Sequence, residues 1–350
     1  MTETKPTVAV LFGGCSSEHD VSLHSAQAVL SNLDAERYRV VPVGIDRAGA
    51  WFVYEGPADA LEHDAWRDAP NLVPVAPAFD RGAHGLVSLT DGAIIALDAA
   101  LPILHGRNGE DGSVQGALGL AGVPVVGCDI AGSAICMDKV LSHRIAEAAG
   151  VAVAAHALVR VADGADAARA AAEQVGYPLF VKPPCEGSSM GVSRVASPDR
   201  LDEALRLAFA YADEALVERE IVGCEIGCAV LEDAGALLVG ELDEVVLNGS
   251  LFDYHEKYSC ETAEIVVPAR VSPQQKASIV DAAKRLFRAL ACVGFARIDF
   301  FLAHDGTLYF NEANTVPGFT EHSRFPAMFA AAGLPLDALL SIAVDQAVGR

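Results

Sequence analysis

Short apolar runs alternate with helix-period stretches along the first part of the chain. Residues 8–12 read as a buried strand, and a helical pattern follows from about 21 to 33. Between them lies the loop Gly13-Gly14-Cys15-Ser16-Ser17-Glu18-His19-Asp20. Strand, glycine-rich loop and helix make the first half of a doubly wound α/β unit. Strand-like runs recur at 38–45, 93–97 and 101–104. The last ends in His105-Gly106-Arg107-Asn108-Gly109-Glu110-Asp111-Gly112, before a helix over 113–121. Two such loops at the ends of parallel strands predict one shared cleft at the carboxyl edge. Further on, a helix is expected over 138–149, a strand over 152–161, an amphipathic helix over 165–175 and a strand over 178–183. Residues 216–221 resemble a strand running into a short connection, with another strand after Glu225. Ser272-Pro273-Gln274-Gln275 is a helix start, with Ser at the N-cap, Pro behind it and Gln placed to bond back. That helix runs to about Cys292, and two short helices split near Gly333 and Pro335 close the chain.

The densest chemistry falls in 296–326, ARIDFFLAHDGTLYFNEANTVPGFTEHSRFP. Asp305-Gly306 between two apolar-rich segments is a strong hairpin signal. With those residues as the whole loop, His304 pairs with Thr307, Asp299 faces Glu312, and Arg297 faces Asn314. Side chains two apart on a strand share a face, so these four form one polar patch on an apolar ribbon. Oxygen donors from Asp299, Glu312 and Asn314 suit a hard octahedral cation such as Mg²⁺. A solvated hairpin face with an ordinary Arg–Asp pair is the competing reading. The NTVPGF turn that follows and the rest of the chain favour the metal.

Two other stretches bear on phosphate. Lys182 ends the 178–183 strand, and Glu186-Gly187-Ser188-Ser189-Met190-Gly191-Val192 follows directly. A Gly/Ser loop can fold over phosphates with its backbone N–H groups, with lysine as the point charge; an exposed lysine beside a turn is the plainer reading. Residues 248–263, NGSLFDYHEKYSCETA, are polar, aromatic and poorly periodic, as expected of a functional lid. The first glycine loop is neither a Walker A nor GxGxxG. It either permits a tight turn or carries Glu18 into the cleft.

Composition narrows the picture. A chain of 350 residues is too long for one small core and points to two or three domains. A hydrophobic fraction of 52% with 21% charged residues describes a globular chain. The formal charge of −22 argues against a general nucleic-acid or anionic-membrane binder. Lys139, Lys182, Lys257 and Arg297 stand out against it as cations in motif-like surroundings. No signal-like N-terminus and no run of about 18 apolar residues is present. The eight cysteines are scattered, which predicts reduced, mostly buried thiols. A zinc site at Cys224 and Cys228 is disfavoured, since neither a His nor a second Cys pair is near. A cytoplasmic protein is expected.

In chain order, GGCSSEHDVSLHSA, LHGRNGEDGSVQG, MDK, FVKPPCEGSSMGV, FDYHEKY, ARIDFF and NEANTVPGFT resemble the D-alanine–D-alanine ligase branch of the ATP-grasp superfamily. The resemblance implies α/β and α+β architecture in three parts. These are an N-terminal doubly wound α/β domain over 1–128, a small central α+β domain over 129–217, and a C-terminal α+β domain over 218–350 with the lid at 248–263. ATP, with Mg²⁺ or Mn²⁺, is implied between the last two, and a homodimer is the family expectation. Carried over, Glu18 and His105 lie at the first D-alanine site, and Lys139 and Lys182 contact phosphate. The Ser188 loop covers the phosphates, and Glu218, Ile221 and Glu225 surround adenine and ribose. Lys257 contacts the γ-phosphate, and Tyr258 joins Glu18 and Ser188 beneath the closed lid. Asp299, Glu312 and Asn314 match the metal ligands; Arg297 and the Gly318 backbone match the groups facing the oxyanion.

Departures from the common pattern bear on the acceptor. Common members of the family have methionine or leucine where this chain has Arg324, whereas members of the vancomycin-resistance type place arginine there. Among those, D-lactate makers carry a histidine-bearing lid, and this chain keeps Lys257-Tyr258. Arg324 with Tyr258 therefore resembles the D-alanine–D-serine type, with Arg324, Ser323 and Asp243 at the acceptor site. Ordinary D-alanine–D-alanine synthesis is the alternative. A nucleotide sensor without catalysis is the reading from another class, opposed by competent residues at every phosphate, metal and oxyanion position.

Overall fold

The computed structural model describes residues 5–187, 190–247 and 263–349. Three sheets organise them. The first contains β1 (Thr7–Gly13), β2 (Arg39–Ile45), β3 (Trp51–Val53), β4 (Val73–Pro77), β5 (Gly85–Ser88), β6 (Ile94–Ala96) and β7 (Ala99–Pro102), in the order β6-β5-β4-β3-β2-β1-β7. β1 runs parallel to both β2 and β7, so the two glycine-rich loops leave neighbouring strands side by side, as expected. The alternation in β1 decides what covers each face. Val8, Val10 and Phe12 pack on helix α1 (His19–Asn32), while Ala9 and Leu11 face α2 (Ser113–Leu120).

After α2 the chain forms α3 (Ile130–Met137) and α4 (Lys139–Ala148). Asp138 caps α4 by accepting from the backbone N–H groups of Val140 and Leu141. The strand expected over 152–161 is two strands in different sheets. β8 (Ala152–Val153) joins the third sheet, and β9 (His156–Arg160) lies at the edge of the second. The second sheet is completed by β10 (Leu179–Lys182), β11 (Ser193–Val195) and β12 (Glu214–Arg219), in the order β11-β10-β12-β9. It has its own core with α5 (Gly164–Val175) and α6 (Leu201–Ala208).

The third sheet holds β13 (Gly223–Asp233), β14 (Ala236–Val239), β15 (Asp243–Leu247), β16 (Ala263–Val266), β17 (Phe295–Ala303) and β18 (Leu308–Asn314). Helix α7 (Pro273–Ala289) starts with the expected capping box between Ser272 and Gln275, and ends short of Cys292. It buries Ile279, Ala283 and Leu286 against the face of the sheet bearing Ile226, Cys228, Ile298 and Phe300. Helices α8 (Arg324–Ala331) and α9 (Leu336–Val348) return to the first core, where Leu339, Leu340 and Val344 meet Val8, Val10 and Ala229. No single described helix is long and apolar enough to cross a membrane.

Candidate active site

A cleft of about 1330 Å³ opens where the three sheets face one another, and both glycine-rich loops, β10, β12, β13, β18 and the N-terminus of α8 line it. On the first-sheet side, Ser16 braces the loops together. Its hydroxyl donates to the His105 carbonyl at 2.7 Å and accepts from the Glu18 N–H at 3.1 Å. Glu18 and His105 are both buried at the cleft wall. The Glu18 carboxylate lies directly on Gly106, where a Cβ would stand 2.4 Å from its Oε2. The same glycine donates its N–H to Glu110 Oε2 at 2.7 Å. Burial, with the neighbouring Glu18, pushes the Glu110 carboxyl up to about 8. Burial also holds the His105 imidazole below its ordinary range. Glu110 was not singled out from sequence, although it stands in the same glycine-rich loop as His105.

At the opposite end, β10 and β12 pair antiparallel and bring Lys182 beside Glu218. Lys182 Nζ is 2.9 Å from Glu218 Oε2 but poorly aligned for a hydrogen bond, and both residues line the cleft with Ile221 and Glu225. Burial acts to raise the Glu218 carboxyl, and the Lys182 and His143 side chains outweigh it, holding the group below its usual range. Lys139, in the first turn of α4, reaches the Glu186 carbonyl at 3.1 Å and Glu312 Oε2 at 3.3 Å. Ser188, Lys257 and Tyr258 lie outside the described residues.

The β17–β18 hairpin delivers the expected pairs, Asp299 with Glu312 and Arg297 with Asn314, by two offsets that cancel. The loop has three residues, His304, Asp305 and Gly306, since Ala303 donates to the Thr307 carbonyl at 2.9 Å and Gly306 takes a positive φ of 86°. Phe300 therefore pairs with Phe310, and a bulge restores the count before Glu312. Asn311 is the extra residue, and its carbonyl meets His143 Nε2 at 2.9 Å. Phe310 packs toward α7, and the bulge turns Glu312 and Asn314 to the opposite, cleft-facing side. No sequence signal announced the role of His143.

Asp299 is placed differently from Glu312 and Asn314. It is 1% exposed and off the cleft wall. Arg297 Nε donates to its two oxygens at 2.9 and 3.1 Å, Arg297 Nη2 at 2.8 Å, and the Asn314 amide at 2.9 Å. Two carboxylates and an amide on one hairpin face still form a hard-oxygen donor set that fits Mg²⁺. In this arrangement Glu312 and Asn314 are at the cleft, and Asp299 is held behind them as the counter-ion of Arg297.

The far wall is made by Gly318, Thr320, Ser323 and Arg324. The Ser323 hydroxyl bonds Thr320 Oγ1 at 2.8 Å and accepts from the Thr320 N–H at 3.1 Å. Arg324 donates from Nε and Nη2 to the two oxygens of Asp243, at 2.6 and 2.8 Å, and from Nη1 to Glu225 Oε1 at 2.8 Å. Its Nη2 also lies 3.6 Å from Asp299. Burial acts to raise the Asp243 carboxyl, and the guanidinium outweighs it and holds the acid below its usual range. Asp243 is fully buried and off the cleft wall, so it supports Arg324 and does not present a surface to a ligand. Glu225, expected near a ribose, is also an acceptor for Arg324.

Residues 7–128 match the family described as D-ala D-ala ligase N-terminus, and residues 145–345 match D-ala D-ala ligase C-terminus. The chain is 42% identical to the vancomycin/teicoplanin A-type resistance protein VanA of Enterococcus faecium, across 95% of this chain and 96% of that one. It is also 42% identical to a putative D-alanine–D-lactate ligase of Streptomyces coelicolor, across 97% of each. Among solved structures, the VanG D-Ala:D-Ser ligase of Enterococcus faecalis superposes with a TM-score of 0.90 at 40% identity, covering 98% of this chain and 99% of that one.

Proposed function

The chain belongs to the D-alanine–D-alanine ligase family, and we propose that it joins D-alanine to D-serine in an ATP-dependent reaction that supplies modified, vancomycin-resistant cell-wall precursors. The observation carrying the acceptor assignment is Arg324, a cation at the cleft wall where an apolar side chain would suit alanine.

A carboxylate is a poor acyl donor at neutral pH, so the first D-alanine is activated as its acyl phosphate. Glu18 and His105 bind it at the first-sheet wall, Glu18 holding the ammonium. Lys139 and Lys182 orient the nucleotide phosphates and offset their charge. Glu218, the counter-ion of Lys182, stands with Ile221 and Glu225 around the adenine and ribose. Glu312 and Asn314, with Asp299, would hold Mg²⁺, which when bound supplies charge neutralisation for phosphoryl transfer. The acceptor's amine attacks the acyl carbon and gives up a proton, Arg297 turns from Asp299 to the tetrahedral oxyanion alongside the Gly318 backbone, and phosphate leaves as the peptide bond forms. Tyr258, Lys257 and Ser188 belong to the cover that keeps water from the acyl phosphate. Assembly as a homodimer is a separate proposal, checked by sedimentation.

Arg324 bears on the acceptor in a particular way. A guanidinium has five N–H donors; Asp243 and Glu225 take three, and Asp299 faces a fourth. One Nη1 hydrogen is left for a serine hydroxyl among the described residues. A single hydrogen bond involving a charged group contributes about 1.5–3 kcal/mol, which corresponds to a preference for D-serine of about 10- to 100-fold. The three bonds to Asp243 and Glu225 favour the second reading, D-alanyl–D-alanine synthesis, because the guanidinium keeps them when an alanine methyl is present. The test is kcat/KM for D-serine, D-alanine and D-lactate with ATP, Mg²⁺ and D-alanine. Arg324→Met is expected to move the D-serine to D-alanine ratio toward alanine. A wild-type preference for D-alanine or D-lactate, or a ratio unmoved by the substitution, rules the assignment out.

A further inference from the structure

We infer that Gly227 is a specificity-determining position of the acceptor site, because its missing side chain makes the notch in which the Arg324 guanidinium lies against Asp243. The inference rests on the reading of Arg324 as the acceptor-facing group. Gly227 stands in the middle of β13, paired with Asp243 on β15 and with Asp299 on β17. Asp299 pairs in turn with Glu312, so one row across the sheet reads acid, glycine, acid, acid.

A glycine inside a central strand weakens it and marks a close approach. The approach here is specific. A Cβ at Gly227 would lie 2.4 Å from Asp243 Oδ1, 2.6 Å from Arg324 Nη2 and 2.8 Å from Met328 Cε. Met328 ends in a flexible thioether and can give way. The charged atoms cannot. Asp243 Oδ1 is fixed by the Gly227 N–H at 2.8 Å and by Arg324 Nη2 at the same distance, with Asp243 fully buried. Gly227 is not among the glycines with positive φ, so space and not backbone freedom is what the position requires. Any side chain there lifts the guanidinium off Asp243 and displaces the Nη1 hydrogen left over among the described residues.

The experiment measures the D-serine to D-alanine ratio of kcat/KM, the KM for ATP, and the melting temperature. Gly227→Ala is expected to cut the ratio at least tenfold, through KM for D-serine, with KM for ATP unchanged and Tm lowered. In an Arg324→Met/Asp243→Ala background the clashing charged atoms are gone, and adding Gly227→Ala should move neither the ratio nor Tm. A folded Gly227→Ala protein with the wild-type ratio overturns the inference while leaving the role of Arg324 standing. If Gly227→Ala does not fold, the triple variant decides: failure to fold there too shows the glycine is needed for another reason and overturns the inference. A ratio unmoved by Arg324→Met sinks the acceptor reading, and the specificity claim for Gly227 with it.

Discussion

The two ends of the cleft use the same kinds of residue in opposite states of bonding. At the end lined by β10 and β12, Lys182 and Glu218 form one ion pair at 2.9 Å, and His143 Nδ1 has no hydrogen-bond partner among the described residues. At the acceptor end, Arg324 is clasped by Asp243 through two hydrogen bonds and by Glu225 through a third. A single ion pair can pass one partner to a ligand, whereas a guanidinium held by two carboxylates through three hydrogen bonds keeps its place when a ligand enters. On the proposed function, the first end grips and releases a ligand and the second holds a shape and discriminates by it.

The sharpest way to break this contrast is to remove one carboxylate from each end. Asp243→Ala strands a buried guanidinium, and losing one partner of a buried pair costs about 3–5 kcal/mol. Glu218→Gln keeps an acceptor beside Lys182 and is expected to cost less than Asp243→Ala, while weakening ATP binding. Urea unfolding of the two variants checks the order, and equal losses would erase the distinction. Next in size is Glu312→Gln. Removing one group that stabilises developing charge lowers turnover by about 10²–10³-fold, and circular dichroism should show the fold intact. Near-normal Mg²⁺-dependent turnover would remove Glu312 from the metal set.

A further test separates the ends by pH. Burial pulls the His143 imidazole down to about 4 from the ordinary 6.5. Its folded pKa is depressed, so the stability it contributes is present above 6.5 and lost as pH falls toward 4, where the unfolded chain takes up a proton that the folded one refuses. The slope is at most about 1.4 kcal/mol per pH unit for one group. His143→Gln should flatten the urea midpoint across that interval. Arg324→Met should instead add a slope of the opposite sign, because without the guanidinium burial raises the Asp243 carboxyl.

Much of this arrangement was legible in the residue order. Parallel strands feeding two glycine loops, the Asp138 and Ser272 caps and the Asp–Gly hairpin are local signals, and local signals survive folding. The Asp299–Glu312 pairing was legible for a reason that only partly holds. A three-residue loop and a bulge at Asn311 cancel, and the bulge depends on His143 from a distant helix, which periodicity cannot reveal. The split of 152–161 between β8 and β9 is of the same kind, because adjacent residues of one extended run pair in different sheets. Asp243 beneath Arg324 joins segments 81 residues apart and was expected only through the family resemblance, whereas Glu110 bonds Gly106 within one loop and only its burial depends on the fold.

The return of α9 to the first sheet has a consequence for how the protein is made. The face of β1 bearing Val8, Val10 and Phe12 shares its core with Leu339, Leu340 and Val344, and Arg37 and Tyr38 both bond Asp345. A ribosome releases the sheet long before it releases the helix. That face of the first sheet must therefore wait, with apolar surface uncovered, until α9 has emerged, and that interval is when a nascent chain aggregates or engages a chaperone. A stop codon only a few residues before α9 would be felt at the opposite end of the sequence, in a sheet finished hundreds of residues earlier.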